Sequence, residues 1–225
     1  MHEPQTKIIA CQTVAEELKS ILPTGFEMEV LDYGLHNIPH VLHQRLQKAI
    51  DHTKPEFSTI LVGYGLCANA ILGIYTRKFQ LVIPRVDDCI ALCLGSREEY
   101  RHQLKLAPGT FFLSKGWIEC GEDPYTEYCA MREKYGHEKA LRLTKRYISN
   151  YTRLALIKSG DYDTEAYRKY ARMVADHFEL FYEEIQGSPE YLRNFIQGKW
   201  EQDFVVVPPG RKISFDLFYG KDVLY

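Results

Sequence analysis

The chain has 225 residues, enough for one large domain or two small ones with a sizeable buried core. Lys+Arg is 28 and Asp+Glu is 30, a formal net charge of -2, so the composition carries no electrostatic footprint for duplex nucleic acid or an anionic membrane. No apolar run is long enough to span a bilayer, and the first residues lack the basic and apolar regions of a secretion signal, so the protein is expected in the cytoplasm with its 6 cysteines reduced.

In chain order, Lys7 to Ala10 is a short apolar strand ending at Cys11. Thr13 and Glu16 have the spacing of a capping box, which predicts a helix to about Leu22. Phe26 to Leu31 reads as a second strand, and Pro39 suits the first turn of a helix running to about His52. Ser58 to Val62 is a third strand, broken by Gly63-Tyr64-Gly65, and Gln80 to Ile83 is a fourth. A short helix is expected from Cys89 to Leu94, and Ser96 with Glu99 forms a second capping box. Thr110 to Leu113 is the fifth strand.

A charged helical stretch follows from about Asp123 to Asn150. The alternation then returns: strand at Leu154 to Ile157, helix at Thr164 to Ala175, strand at Leu180 to Ile185, a helix opened by Ser188-Pro189-Glu190, and strand at Phe204 to Val207. This rhythm predicts an α/β protein with parallel sheets and flanking helices, arranged as two Rossmann-like halves around a cleft. The expected division is a first α/β half over 1–122, a helical connection over 123–152 and a second, smaller α/β half over 153–225. The Pro-initiated helices at Pro39 and Pro189 fall at comparable places in the two halves, which suggests a duplicated topology.

In open parallel sheets, ligands sit beyond the carboxyl ends of the strands. Cys11, Cys67 and Cys89 each fall at such an end, whereas Cys93 and Cys129 fall on helices. Thiolates are soft ligands for zinc or iron. Cys11, Cys67 and Cys89, with His36 as the fourth donor, are therefore the expected metal site, although no CxxC pair is present. Asp87 and Asp88 are either further ligands or helix caps. Arg85 is placed to hold a substrate carboxylate or phosphate, and its other reading is an Arg–Asp pair that fixes the loop. Gly63 and Gly65 form a turn that brings backbone close to a ligand, Ser96 is a further substrate contact, and Trp117 puts an indole over the cleft.

Two other readings fit the same residues. Cys67 after the glycine turn would be a metal-free nucleophile, with turn N–H groups as an oxyanion hole and His36 as base. Alternatively, scattered cysteines pack as small hydrophobes in a non-catalytic binding protein.

The same residues carry a resemblance. Ile9-Ala10-Cys11, Gly63-Tyr64-Gly65-Leu66-Cys67, Pro84-Arg85-Val86-Asp87-Asp88-Cys89-Ile90, Leu94-Gly95-Ser96-Arg97 with Tyr100, Gly116-Trp117 and Val206-Val207-Pro208-Pro209-Gly210 resemble the uncharacterised family catalogued as domain of unknown function 1638. That family occurs mainly in anaerobic bacteria and methanogenic archaea, often near corrinoid-dependent methyl-transfer systems. The resemblance implies a role in one-carbon or methylamine metabolism, with a methylated substrate and a corrinoid methyltransferase system as partner, while Arg85 and the Gly63–Gly65 turn point to a small anionic or polar substrate. No corrinoid-binding Asp-x-His-x-x-Gly motif is present, so a corrinoid carrier is not expected.

Overall fold

The computed structural model describes residues 5–121, 123–160 and 163–220. In chain order its elements begin with β1 (Gln5–Cys11), α1 (Gln12–Leu18), β2 (Glu27–Leu31), a 3-10 turn (Tyr33–Asn37), α2 (Pro39–Asp51), β3 (Phe57–Gly63) and β4 (Gln80–Pro84). There follow α3 (Ile90–Leu94), α4 (Arg97–Leu106), β5 (Thr110–Leu113), α5 (Lys115–Cys120), α6 (Pro124–Tyr135) and α7 (His137–Tyr147). The last are β6 (Arg153–Lys158), α8 (Glu165–Phe178), β7 (Phe181–Gln186), α9 (Glu190–Ile196), β8 (Phe204–Val207) and α10 (Asp216–Tyr219). No helix among the described residues is long and apolar enough to cross a membrane.

The strands form two sheets. One has the order β2-β1-β3-β4-β8, with β8 antiparallel to β4 and all other pairs parallel. The other, β5-β6-β7, is wholly parallel. The α/β class and the parallel sheets agree with the sequence pattern. Central strands buried on both faces read as unbroken apolar runs, and Ile8, Ile9 and Ala10 of β1 and Ile60, Leu61 and Val62 of β3 have no exposed surface. Against this sheet pack Val14, Ala15 and Leu18 of α1, Leu42 and Leu46 of α2, and Leu192 and Phe195 of α9. The second core gathers Leu154 and Leu156 of β6 with Ala171, Val174 and Ala175 of α8.

Sheet membership does not follow the linear division of the chain. β5, which lies within the first stretch, pairs with β6 in the second sheet, and β8 crosses back to edge the first. The second half therefore does not repeat the first: β1, β2 and β3 share one sheet, whereas β6 and β7 are separated from β8. At helix ends, Ser96 caps α4 as its box predicts, its Oγ accepting from the Glu99 amide at 3.0 Å. The Thr13 box does not form. β1 runs on to Cys11, so Cys11 takes the N-cap position and Thr13 is buried inside α1. The helical stretch after Asp123 is two helices, broken at Gly136.

Two buried polar contacts join the sheets' helical layers. The Glu17 carboxylate of α1 accepts from the Gly116 amide at 3.1 Å and from the Ser159 hydroxyl, just past β6, at 2.6 Å. A side chain at Gly116 would meet the Thr13 carbonyl at 2.4 Å, so glycine is what lets α5 lie against α1. This contact sets the position of Trp117.

Candidate functional site

In a sheet ordered β2-β1-β3-β4, the chain leaves β1 toward one side and returns past it to build the other. The crevice beyond the carboxyl ends of β1 and β3 is the switch point where such sheets bind ligands. A cavity of about 290 Å³ lies there. Cys11 reaches it from the end of β1, Cys67 from the turn after β3 and Cys89 from the loop after β4. His36 and Tyr33 come from the 3-10 turn after β2, and Trp117 from α5 closes the side.

The turn after β3 is locked to the loop after β4. The Leu66 amide donates to the Val86 carbonyl at 2.9 Å and the Cys67 amide to the Asp87 carbonyl at 3.0 Å. A Cβ at Gly65 would stand 2.8 Å from that Val86 carbonyl, so only glycine permits the approach. Cys67, Ala68 and Asn69 follow with φ of 46°, 54° and 67°, three successive non-glycine residues in the left-handed region. Each costs on the order of 1 kcal/mol, and such strain persists only where surrounding bonds hold it.

The electrostatics of the cavity favour neutral thiols. Burial pushes the Cys11 thiol up, while the amides of Thr13 and Val14 pull the other way. Burial, then the charge of Cys11, raises Cys67 to about 12. Cys89 is raised well above its ordinary value, by burial first and then by Cys67 and Cys11. Cys67 and Cys89 retain some surface, but that surface faces the cavity, so their sulfurs are still desolvated. The three thiols thus sense one another. Among the described residues, however, no three His, Cys, Asp or Glu side chains stand in a geometry that would already hold a metal ion.

The remaining walls are more settled. His36 donates Nδ1–H to the Tyr33 carbonyl at 2.7 Å; since a carbonyl only accepts, Nδ1 carries a proton, and in the neutral ring the lone pair is on Nε2. The Asp88 carboxylate accepts from the Ile90 amide at 2.9 Å and the Tyr100 hydroxyl at 2.7 Å, and burial raises its pKa. The Trp117 indole N–H donates to the Tyr33 hydroxyl at 2.9 Å. Tyr64 is different. Only 2% of it is exposed, it lines the cavity, and its hydroxyl has no hydrogen-bond partner among the described residues.

Of the residues singled out from sequence, the structure brings Cys11, Cys67, Cys89, His36, Gly63 and Trp117 to this cavity. Gly65, Arg85 and Ser96 are not in its lining. Gly65 serves the packing of the two loops, Ser96 caps α4, and Arg85 donates Nη2–H to the Phe204 carbonyl at 3.5 Å. Among the described residues no lysine or arginine lines the cavity, and the acids in its lining are Asp87 and Asp88. Sequence reasoning missed Tyr33 and Tyr64. The signal for Tyr64 was its place between two glycines of a turn already marked as a ligand approach.

A family model with the description "Protein of unknown function (DUF1638)" matches residues 30–196. No curated protein and no solved structure matches the chain.

Proposed function

The chain belongs to that family, whose description names no activity, and we propose from the cavity itself that the protein is a soft-metal site built on Cys11, Cys67 and Cys89, acting on a small organic substrate. The observation that carries this reading is the convergence of three thiols from three separate strand ends on one switch-point cavity. Neutral thiols crowded together are poor company for one another as anions, and a divalent cation removes that repulsion by displacing their protons. The donor set suits zinc or ferrous iron, with the His36 Nε2 lone pair as a fourth donor. Among the described residues the donors do not stand in ligating geometry as they are, so holding a metal would require the three sulfurs to approach one another.

The bound metal would supply Lewis acidity or a metal-activated thiol or water. The chain's own residues do the rest. The unpartnered Tyr64 hydroxyl donates a hydrogen bond to the occupant, and Asp88, fixed by Tyr100 and the Ile90 amide, keeps a carboxyl group at the wall. With no lysine or arginine in the lining among the described residues, a methylated substrate that is neutral or cationic suits the cavity better than an anion. Such a substrate accords with the one-carbon setting and the corrinoid methyltransferase partner that the family resemblance implies.

Two observations weigh against a metal-free Cys67 nucleophile. Its thiol is raised to about 12, and the Leu66 and Cys67 amides that would form an oxyanion hole already donate to Val86 and Asp87. The test is elemental analysis of anaerobically purified protein beside Cys11→Ser, Cys67→Ser and Cys89→Ser. About one metal per chain is expected in the wild type and a large loss in each variant. A folded wild type that stays metal-free after reconstitution with zinc or ferrous iron overturns the proposal.

A further inference from the structure

We infer that the ligand of this site has a flat aromatic body, which lies in a trough adjoining the thiol cavity, and that it is cationic rather than anionic. This rests on the cavity being the working site. A second cavity of about 360 Å³ shares Tyr33, His36, Asp88, Ile90 and Trp117 with the first, so the two lie against the same side chains. Its volume lies in the range of small-molecule sites.

Beyond the shared residues its walls are largely aromatic. Tyr100 meets Phe112 edge to face at 6.0 Å between ring centroids, and Phe111 meets Tyr151 in the same way at 5.3 Å. Trp117, at the junction, is held by its hydrogen bond to Tyr33. Rings fixed by one another offer a rigid surface on which a planar ligand stacks with little loss of side-chain entropy.

The charge of the lining selects the ligand further. Among the described residues neither cavity is lined by lysine or arginine. Asp88 lies at the junction of the two, and no ion pair to it forms among the described residues. Aromatic faces and carboxyl groups together attract an organic cation and repel a carboxylate or phosphate.

Calorimetric titration with three isosteric probes tests this: naphthylmethylammonium, naphthalenemethanol and naphthoate, added to the full chain with its metal content measured in parallel. The ammonium probe is expected to bind saturably, and naphthoate about tenfold more weakly or not at all. Phe111→Ala, and Tyr147→Ala at a largely exposed trough residue that does not threaten the fold, should each weaken the ammonium probe several-fold with metal content unchanged. Absence of saturable binding, equal or tighter binding of naphthoate, or indifference to both substitutions overturns the inference. Ring binding that persists in Cys67→Ser supports the trough whatever metal that chain holds, so failure here and failure of the metal reading are told apart.

Discussion

Tyr64 sits at 2% exposure with an enclosed hydroxyl that bonds to nothing among the described residues. An unsatisfied buried hydroxyl is a net cost, and replacing it by hydrogen is close to free. Tyr64→Phe is therefore expected to raise the stability of the metal-free protein by about 1 kcal/mol, measured by denaturant unfolding. A variant less stable than wild type would mean that the hydroxyl is satisfied in the free protein. At this scale the sequence was partly legible. Strand ends can be read from apolar runs, and that was enough to group Cys11, Cys67 and Cys89. The left-handed turn at Cys67, Ala68 and Asn69 could not be read, because no glycine marks it and its conformation is held by carbonyls of a distant loop.

At the scale of elements, Glu184 of β7 is the best-defined electrostatic joint. Arg168 of α8 donates Nε–H to it at 2.8 Å, Lys158 at the end of β6 approaches to 3.0 Å, and Tyr182 donates at 3.1 Å. The Arg168 guanidinium, then Lys158, hold the carboxyl down at about 2 from an ordinary 4.5. A lowered carboxyl pKa contributes stability that is present above the unfolded value and lost as pH falls toward the folded one. The second sheet should thus weaken between about pH 4.5 and 2. In Glu184→Gln that acid-side loss should shrink by about 1 kcal/mol, the partial exposure of the group limiting its size. Chemical denaturation at pH 7 and at pH 3 checks this; identical acid sensitivity in the two proteins would contradict it. Several elements were visible in sequence because a local signal specifies them, such as Pro39 at the start of α2 and Ser96 at the cap of α4. α5 was not. It is six residues long, contains a glycine and owes its place to packing on Thr13 of α1.

At the scale of the whole molecule, apolar periodicity identifies strands but not the sheet they join. β5 and β8 read as ordinary strands, and nothing local says that they exchange places. The family match, over residues 30–196, covers neither β1, which supplies Cys11 from inside the sheet, nor β8 at its edge. The matched segment is thus less than the structural unit that makes the cavity. β8 hides the edge of β4, whose Leu81, Val82 and Ile83 are fully buried. An uncovered apolar edge strand invites pairing between chains. A chain ended after residue 199 should therefore run as aggregate in gel filtration, where the full chain does not. A monodisperse truncated chain with native circular dichroism would sink this expectation.

The exchange of strands also fixes an order of events during synthesis. β1 through β4 leave the ribosome first, yet their sheet stays open at one edge until residue 207 has been added. β5, β6 and β7 pair with near neighbours and are complete by residue 186. The sheet begun second is thus the one able to close first, since short loops close before long ones. The walls of the thiol cavity, from Cys11 to Trp117, are thus all made before β8 seals the sheet that carries them. A nascent chain stalled before β8 would hold its cysteines together on a sheet still open at one edge, and that interval is when they are most open to oxidation or to capture of the wrong metal.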